Sequence, residues 1–417
     1  MAHSELFNKI HQDKRYFQLS KNFPKLSQKA YSDVHDEQGN QYVDLVQEGG
    51  GVLGIALVGY VWVLESCKIR FMSLAGTSAG AINTIGLAGL KEPHESVYQD
   101  LIELLGNKSL LDFVDGGSSM KNFISKATQE DPKMIWLLLR YGYPIYSRLR
   151  DYLGMNPGDN FLEWLKAALK EAGIETTAQL IERRNTVATA NIHFTGEGRQ
   201  EFRNTVGVVT SEITTNSKIV LPRDGRVFYD DVDNTNPAEY ARASMSIPFF
   251  FHPYCRDLSK LGAGQTNHEG WIEVADYRGE VPKEAIFVDG GMLSNFPINL
   301  FHSDTPSKLP PRKPTFGARL SAYRNKPNKI KNSFSFAGAM ISTMRQVHDY
   351  DFLLKNPDFK QLICHIDADQ DYNWLDFNIS DENKIGLFFK GAEAAVSFLD
   401  KFNWDEYKSG RVKGFTE

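Results

Sequence analysis

The chain has 417 residues, 41% hydrophobic and 24% charged, with a formal net charge of −5, an ordinary globular composition and enough length for one large domain or two modest ones. The slightly acidic balance excludes the basic footprint of a nucleic-acid binder. Cys67, Cys255 and Cys364 are too few and too scattered for a disulfide framework or a zinc site, and read as buried small apolar residues.

Residues 1–40 form a polar, mixed-charge extension without the apolar core of a secretory signal, and no later stretch is long and apolar enough to span a bilayer. The expectation is a cytoplasmic protein whose contact with lipid is peripheral. Residues 42–47 (YVDLVQ) predict a strand, broken by Gly49, Gly50 and Gly51. Residues 53–66 are apolar almost all round, as in a helix packed against a sheet. Residues 70–75 predict a second strand and 79–90 a second helix. This β-α-β-α order implies a parallel sheet with right-handed crossovers.

Residues 95–185 change to helix-like sequence, a helical insertion punctuated by Pro132, Pro144 and Pro157. Within it, residues 159–172 carry helical periodicity with Gly173 as the stop. Strand-like runs return at 186–194, 206–213, 218–221 and 285–288, the last ending in Asp289-Gly290-Gly291. Residues 316–323 and 361–366 are further strand candidates. Residues 380–402 predict a closing helix capped by Ser380, with its Lys and Glu residues as a solvated face. The organisation expected is an extension (1–40), one α/β domain (41–403) and a tail (404–417).

Three glycine-rich corners each follow a predicted strand, and ligands gather at the carboxyl ends of parallel strands. If all three strands run parallel, the corners share one edge. Gly76-Thr77-Ser78-Ala79-Gly80 is a G-x-S-x-G sequence, which puts a serine on a sharp strand-to-helix turn with small flanks. Ser78 is the candidate nucleophile, and a plain helix cap is the bland alternative. Gly49, Gly50, Gly51 and Val52 are the candidate oxyanion hole, since glycine leaves backbone N–H groups unshielded. The run also fits G-x-G-x-x-G, but no Asp or Glu occurs from Ser66 through Lys91, where a dinucleotide site needs one. A phosphate loop lacks its Gly-Lys-Ser or Gly-Lys-Thr. For activation of Ser78 there are two routes. A triad would draw on His302, His348 or His365, none of which sits in a glycine-rich corner. The other route is Asp289 as direct general base, with an ordinary Asp-Gly-Gly surface turn as its bland counterpart.

Taken together, these corners resemble the patatin-like phospholipase family. The resemblance extends through Arg242-Ala243-Ser244-Met245-Ser246-Ile247-Pro248 and through residues 289–300 (DGGMLSNFPINL), with Asn295 and Pro297. It covers residues 42–303. It implies a three-layer α/β/α sandwich with a mostly parallel central sheet, a Ser78–Asp289 dyad without histidine, and an acyl-enzyme intermediate. It implies a lipid acyl-ester substrate and no cofactor or metal. Leu53 departs from the pattern, because many members carry Arg or Lys there. A non-catalytic lipid- or protein-binding relative and a lipid acyltransferase are the alternatives.

Two further stretches carry weaker signals. Residues 133–153 mix large apolar residues with Arg140, Arg148 and Arg150. A helical insertion packed on the core is favoured there over a lid that leans on a membrane. Phe249, Phe250 and Phe251 read as core rather than as the lining of an acyl pocket. His193 and His252 are taken as structural.

Overall fold

The computed structural model describes residues 3–106, 108–127, 134–189, 192–196, 204–261, 268–301, 309–321 and 357–413, with a few isolated positions between them. Its strands are β1 (Val34–His35), β2 (Gln41–Gln47), β3 (Ile69–Thr77), β4 (Gly154–Asn156), β5 (His193–Phe194), β6 (Val206–Glu212), β7 (Ser217–Leu221), β8 (Phe249–Phe251), β9 (Tyr254–Asp257), β10 (Glu284–Asp289), β11 (Thr315–Arg319) and β12 (Ile363–His365). The main sheet runs β12-β11-β2-β3-β6-β10-β9. Pairing is parallel from β12 through β6 and antiparallel at β10 and β9. The result is a mixed α/β fold with a mostly parallel central sheet and many helices.

Burial explains the central strands. Every residue of β2 is buried, including Asp44 and Gln47, and a strand covered on both faces loses the alternation of a half-exposed one. The helix Ile55–Ser66 is buried from Ile55 to Glu65, as its all-round apolar sequence requires. It crosses the closing helix Asp381–Lys401 at very short range. A Cβ on Gly59 would run into the Phe388 carbonyl, and one on Gly391 into the Ala56 carbonyl. Ser380 caps the closing helix by accepting from the Asn383 N–H. Its solvated face holds for Glu382 and Glu393 but not for Lys384, which is buried and lies 3.6 Å from Asp381.

Other expectations are corrected by tertiary context. Residues 186–189 belong to a helix, Thr177–Thr189, and among the described residues of that run the strand is the two-residue β5. That helix is anchored by buried Leu180 and by Arg184, which donates to the Met72 carbonyl at 2.8 Å; anchoring outweighs the weak strand preference of a Thr-Val-Ala-Thr run. Of residues 316–323, strand β11 covers only part, and Tyr323 lies outside the described residues. Residues 361–362 close a 3-10 turn before β12. Pro144 does not break its segment but sits inside the helix Met134–Tyr152. Cys67 and Cys364 are buried, whereas Cys255 is exposed because β9 forms the sheet edge.

Residues 3–40 carry short helices, and Leu6, Phe7, Ile10 and Leu26 on them, with Tyr31 beyond them, are buried in the main core. Residues 404–413 form the helix Trp404–Lys413, with Trp404 and Tyr407 buried. The stretch expected to be helical contains the helices Tyr98–Gly106, Ser118–Ala127, Met134–Tyr152 and Asp159–Glu171.

Candidate active site

Strand β3 runs straight into the helix Ala79–Gly89, and Ser78 is the hinge between them, with φ +52° and ψ −117°. Few L-residues adopt such a backbone, at a cost of roughly 1–3 kcal/mol. The turn is tight enough that a Cβ on Gly80 would meet the Gln47 carbonyl and one on Gly76 the Gly80 carbonyl. The serine does not cap its helix through its side chain. Instead Ser78 Oγ donates to Asp289 Oδ2 at 2.6 Å, with both residues buried.

Asp289 reaches this point from an unexpected direction. The strand before it, β10, runs antiparallel to β6, with Asp289 opposite Thr210. On the other side of β6, Val209 stands opposite Thr77 of β3. The end of β10 therefore comes back toward the corner where β3 finishes. The expectation of three parallel strands fails, because β6 extends past β3 and its last residues offer an antiparallel partner. The three corners nonetheless converge.

Both side chains are buttressed from one short segment. Ser78 N donates to Ser244 Oγ at 2.8 Å, and that hydroxyl donates to the Val209 carbonyl at 2.6 Å. Asp289 N donates to the Ser246 carbonyl at 2.8 Å, and Asp289 Oδ1 accepts from Gly291 N at 2.7 Å. Buried Arg242 braces the segment by donating to Ser246 Oγ at 2.5 Å and to the His252 carbonyl at 2.9 Å. Thr77 Oγ1 donates to the Ser294 carbonyl at 2.9 Å. A Cβ on Gly290 would strike the Val209 carbonyl, so glycine there lets the Asp289 turn lie against β6.

In the first glycine corner, Gly49 N donates to the Asn295 carbonyl and Val52 N to the Trp374 carbonyl, each at 3.1 Å. The amides of Gly50 and Gly51 have no acceptor among the described residues. Gly51 has φ +55° and is pressed against the Trp374 carbonyl, so a side chain is excluded twice over. Gly49 approaches Ser78 so closely that a Cβ on it would lie 3.1 Å from the serine Cβ. Leu53 is buried, and no charged side chain replaces it on the loop from Gly49 to Gly54. The loop is tied down by a residue that local patterning does not single out. Glu48 is buried and accepts from Leu320 N at 2.6 Å, Ser321 N at 2.8 Å and Asn295 Nδ2 at 3.1 Å, with Arg319 Nε at 3.7 Å. The only sequence signal was an acid between an apolar strand and three glycines.

Ser78, Ala79, Gly51, Val52 and Gly54 border a cavity. The rest of its lining is almost wholly apolar, including Ile55, Val58, Met245 and Ile247. One wall comes from residues 101–164: Leu101, Leu104, Leu105, Leu110, Phe113, Phe161 and Trp164. Phe250 and Phe251 are buried in the main core, as the core reading expects, and Phe251 also lines the cavity; Phe249 departs from that reading, because its left-handed backbone (φ +68°) leaves its side chain exposed. Of the histidines, His365 sits on β12, with β11 and β2 between it and β3. Burial, then nearby Arg319, pushes its pKa below the ordinary value. His302 and His348 lie outside the described residues. His193 is exposed on β5, and His252 stacks on Tyr152. Among the described residues, no group of His, Cys, Asp and Glu could hold a metal ion, and no helix is long and apolar enough to cross a membrane.

The family model for patatin-like phospholipase matches residues 45–302, more than half of the chain. The chain belongs to the patatin-like phospholipase family. This patatin-like chain is also 28% identical over 368 residues to YqhO, an uncharacterized protein of Bacillus subtilis (strain 168), covering 87% of the present chain and all of that one. Among solved structures it is similar to VipD from Legionella pneumophila, at 13% identity and a TM-score of 0.39, over 90% of this chain and 72% of that one. The matched residues take in all three glycine-rich corners and the buttressing segment 242–248.

Proposed function

We propose that this protein is a serine-dependent acyl hydrolase of lipid esters, acting through a Ser78–Asp289 dyad. The observation that carries this reading is the direct 2.6 Å hydrogen bond from Ser78 Oγ to Asp289 Oδ2, made beside an apolar cavity. Ser78 Oγ attacks the ester carbonyl as Asp289 takes its proton. Charge on the carbonyl oxygen is met by the N–H groups of Gly50 and Gly51, which are already fixed and need no reorganisation. Asp289 then gives the proton to the departing alkoxide. In the second half, Asp289 accepts a proton from water, the hydroxide attacks the acyl-enzyme, and Ser78 regains its proton. Atoms and charge balance in both halves without a cofactor. In this reading helices cover both faces of the central sheet, giving a three-layer α/β/α arrangement. The cavity takes the acyl chain, whose CH2 groups gain roughly 0.8 kcal/mol each on leaving water.

A panel of phospholipids, lysophospholipids and neutral glycerides tests the reading. Native protein should release fatty acid from at least one class, and Ser78→Ala should lower kcat/KM by more than about 100-fold with an unchanged Tm. Equal activity in native protein and variant would remove Ser78 from the chemistry. No labelling of native protein by a fluorophosphonate probe would point to a binding relative, and transfer of the acyl group to an added alcohol in preference to water would point to an acyltransferase.

A further inference from the structure

The cavity beside Ser78 is not uniformly apolar. Among its lining residues, the side chains that carry nitrogen or oxygen are Ser78, Trp164 and Asn83. Ser78 is engaged by Asp289. Asn83 lies four residues after Ala79 on the helix Ala79–Gly89, and both line the cavity. Side chains four apart share a helix face, so Asn83 stands about one turn, roughly 5.4 Å, past the start of that helix. It is only 5% exposed. Asparagine serves a helix interior less well than alanine or leucine, and a buried amide costs free energy unless its hydrogen bonds are made.

Half of this amide is satisfied by the protein. Gln47, at the end of β2, is fully buried. Its Nε2 donates to Thr84 Oγ1 at 3.3 Å, and its Oε1 accepts from Asn83 Nδ2. The other half is left over. Asn83 Oδ1 accepts from no group among the described residues, and it is not sealed inside protein. The open space that Asn83 borders is the cavity. Turning both amides over exchanges donor and acceptor along the pair, yet still leaves one polar edge of Asn83 without a partner.

We propose that Asn83 is a specificity-determining residue that hydrogen-bonds a hydroxyl group on the acyl chain, so that the preferred substrates are esters of hydroxylated fatty acids. A hydroxyl both donates and accepts, and so completes the amide in either orientation. A charged group on the chain finds no opposite charge, because the lining has no Asp, Glu, Lys or Arg. An unsubstituted alkyl chain covers the amide edge and leaves it unpaired, and a site built this way discriminates strongly against a substrate that lacks the hydroxyl. The hydroxyl belongs in the part of the chain near the ester, because Asn83 is only about one turn past the serine corner. The inference rests on the lipid-hydrolase reading for the ester; the hydroxyl site itself does not.

Two measurements on the full chain test it. The first is kcat/KM on p-nitrophenyl esters of decanoic acid and of its β-, ε- and ω-hydroxy derivatives. Native protein should favour the β- or the ε-hydroxy ester over plain decanoate by about tenfold or more, and the ω-hydroxy ester, with its oxygen at the far end, should gain nothing. The second is displacement of a bound fluorescent fatty acid by the same free acids, with the favoured hydroxy acid acting at about tenfold lower concentration. Asn83→Leu should abolish both preferences while keeping turnover of plain decanoate at the native level or above. Gln47→Leu/Asn83→Leu removes both amides together, so neither is orphaned, and should behave in the same way if the single variant fails to fold. Equal displacement by plain and hydroxylated acids, or equal kcat/KM in an active enzyme, overturns the proposal. So does a preference that survives in a folded Asn83 variant, or a loss that falls on all esters alike, which would make Asn83 a structural support. A native protein inert on every ester that still binds the hydroxy acid more tightly, through Asn83, removes the hydrolase reading and leaves the hydroxyl site standing.

Discussion

The floor of the cavity, where Ser78 and Asp289 meet, is held by directional bonds to the main chain, whereas its wall from Leu101 to Trp164 is held by apolar packing. Each floor contact has one workable geometry: Ser78 N on Ser244 Oγ, Asp289 N on the Ser246 carbonyl, Gly49 N on the Asn295 carbonyl. The wall offers leucines and aromatic rings to whatever lies against them, and such surfaces accept substitutions of similar volume. The difference separates tasks. On the proposed function, position of the reacting atoms is set where tolerance is lowest, and the shape that meets substrate is set where tolerance is highest. Glu65 joins the two. It lies in the helix Ile55–Ser66 beside the floor, and its buried carboxylate accepts from Val97 N and Tyr98 N at 2.9 Å, where the first helix of the wall begins.

Breaking the floor should have the largest effect. Asp289→Asn should reduce kcat/KM by about 10²–10⁴-fold, the range for loss of a positioned general base, with fluorophosphonate labelling of Ser78 slowed in parallel. Activity within a few-fold of native would show that another group takes the serine proton. A change in the wall should be milder and different in kind. Trp164→Ala should move the preferred acyl chain toward greater length, with less than about tenfold change on the best native substrate. A uniform loss across chain lengths would show that the wall also positions the ester.

The smallest effect belongs to the joint. Burial raises the pKa of Glu65 above its ordinary 4.5, against the opposing pull of Arg70, Ser96, Val97 and Tyr98. A raised folded-state pKa means that the folded protein holds the proton more tightly than the unfolded chain does. The associated stability is complete below the ordinary value and is lost as pH rises through the raised one. The Tm advantage of native protein over Glu65→Gln should therefore be greatest below about pH 4 and shrink toward neutrality. A difference that stays flat or grows with pH contradicts the assignment.

Legibility in the sequence follows the same division. Ser78, Asp289 and the glycines around them were readable because each corner is a local solution to a local problem. A serine at a sharp turn needs small flanks, and an amide offered to a ligand needs no side chain over it. The closing helix with its Ser380 cap and the helix Asp159–Glu171 were readable for the same reason, since caps and periodicity lie within a few residues. The wall was readable only as helix. Leu101, Phe113 and Trp164 have the spacing of any packed amphipathic segment, and nothing local tells a core-facing leucine from a cavity-facing one.

What the chain determined by itself was geometry at short range: where a serine sits on a sharp turn, which backbone groups are left bare of side chains, where helices start and stop. What only the tertiary structure decided was everything that depends on partners far along the chain. The antiparallel arrival of β10, the tethering of the glycine loop by Glu48 to Leu320 and Ser321, and the bracing of Ser78 and Asp289 by Ser244 and Ser246 join residues up to 273 positions apart. Local sequence does not encode a register between distant segments. It emerges when burial of the whole sheet selects one arrangement in which those polar groups are all satisfied.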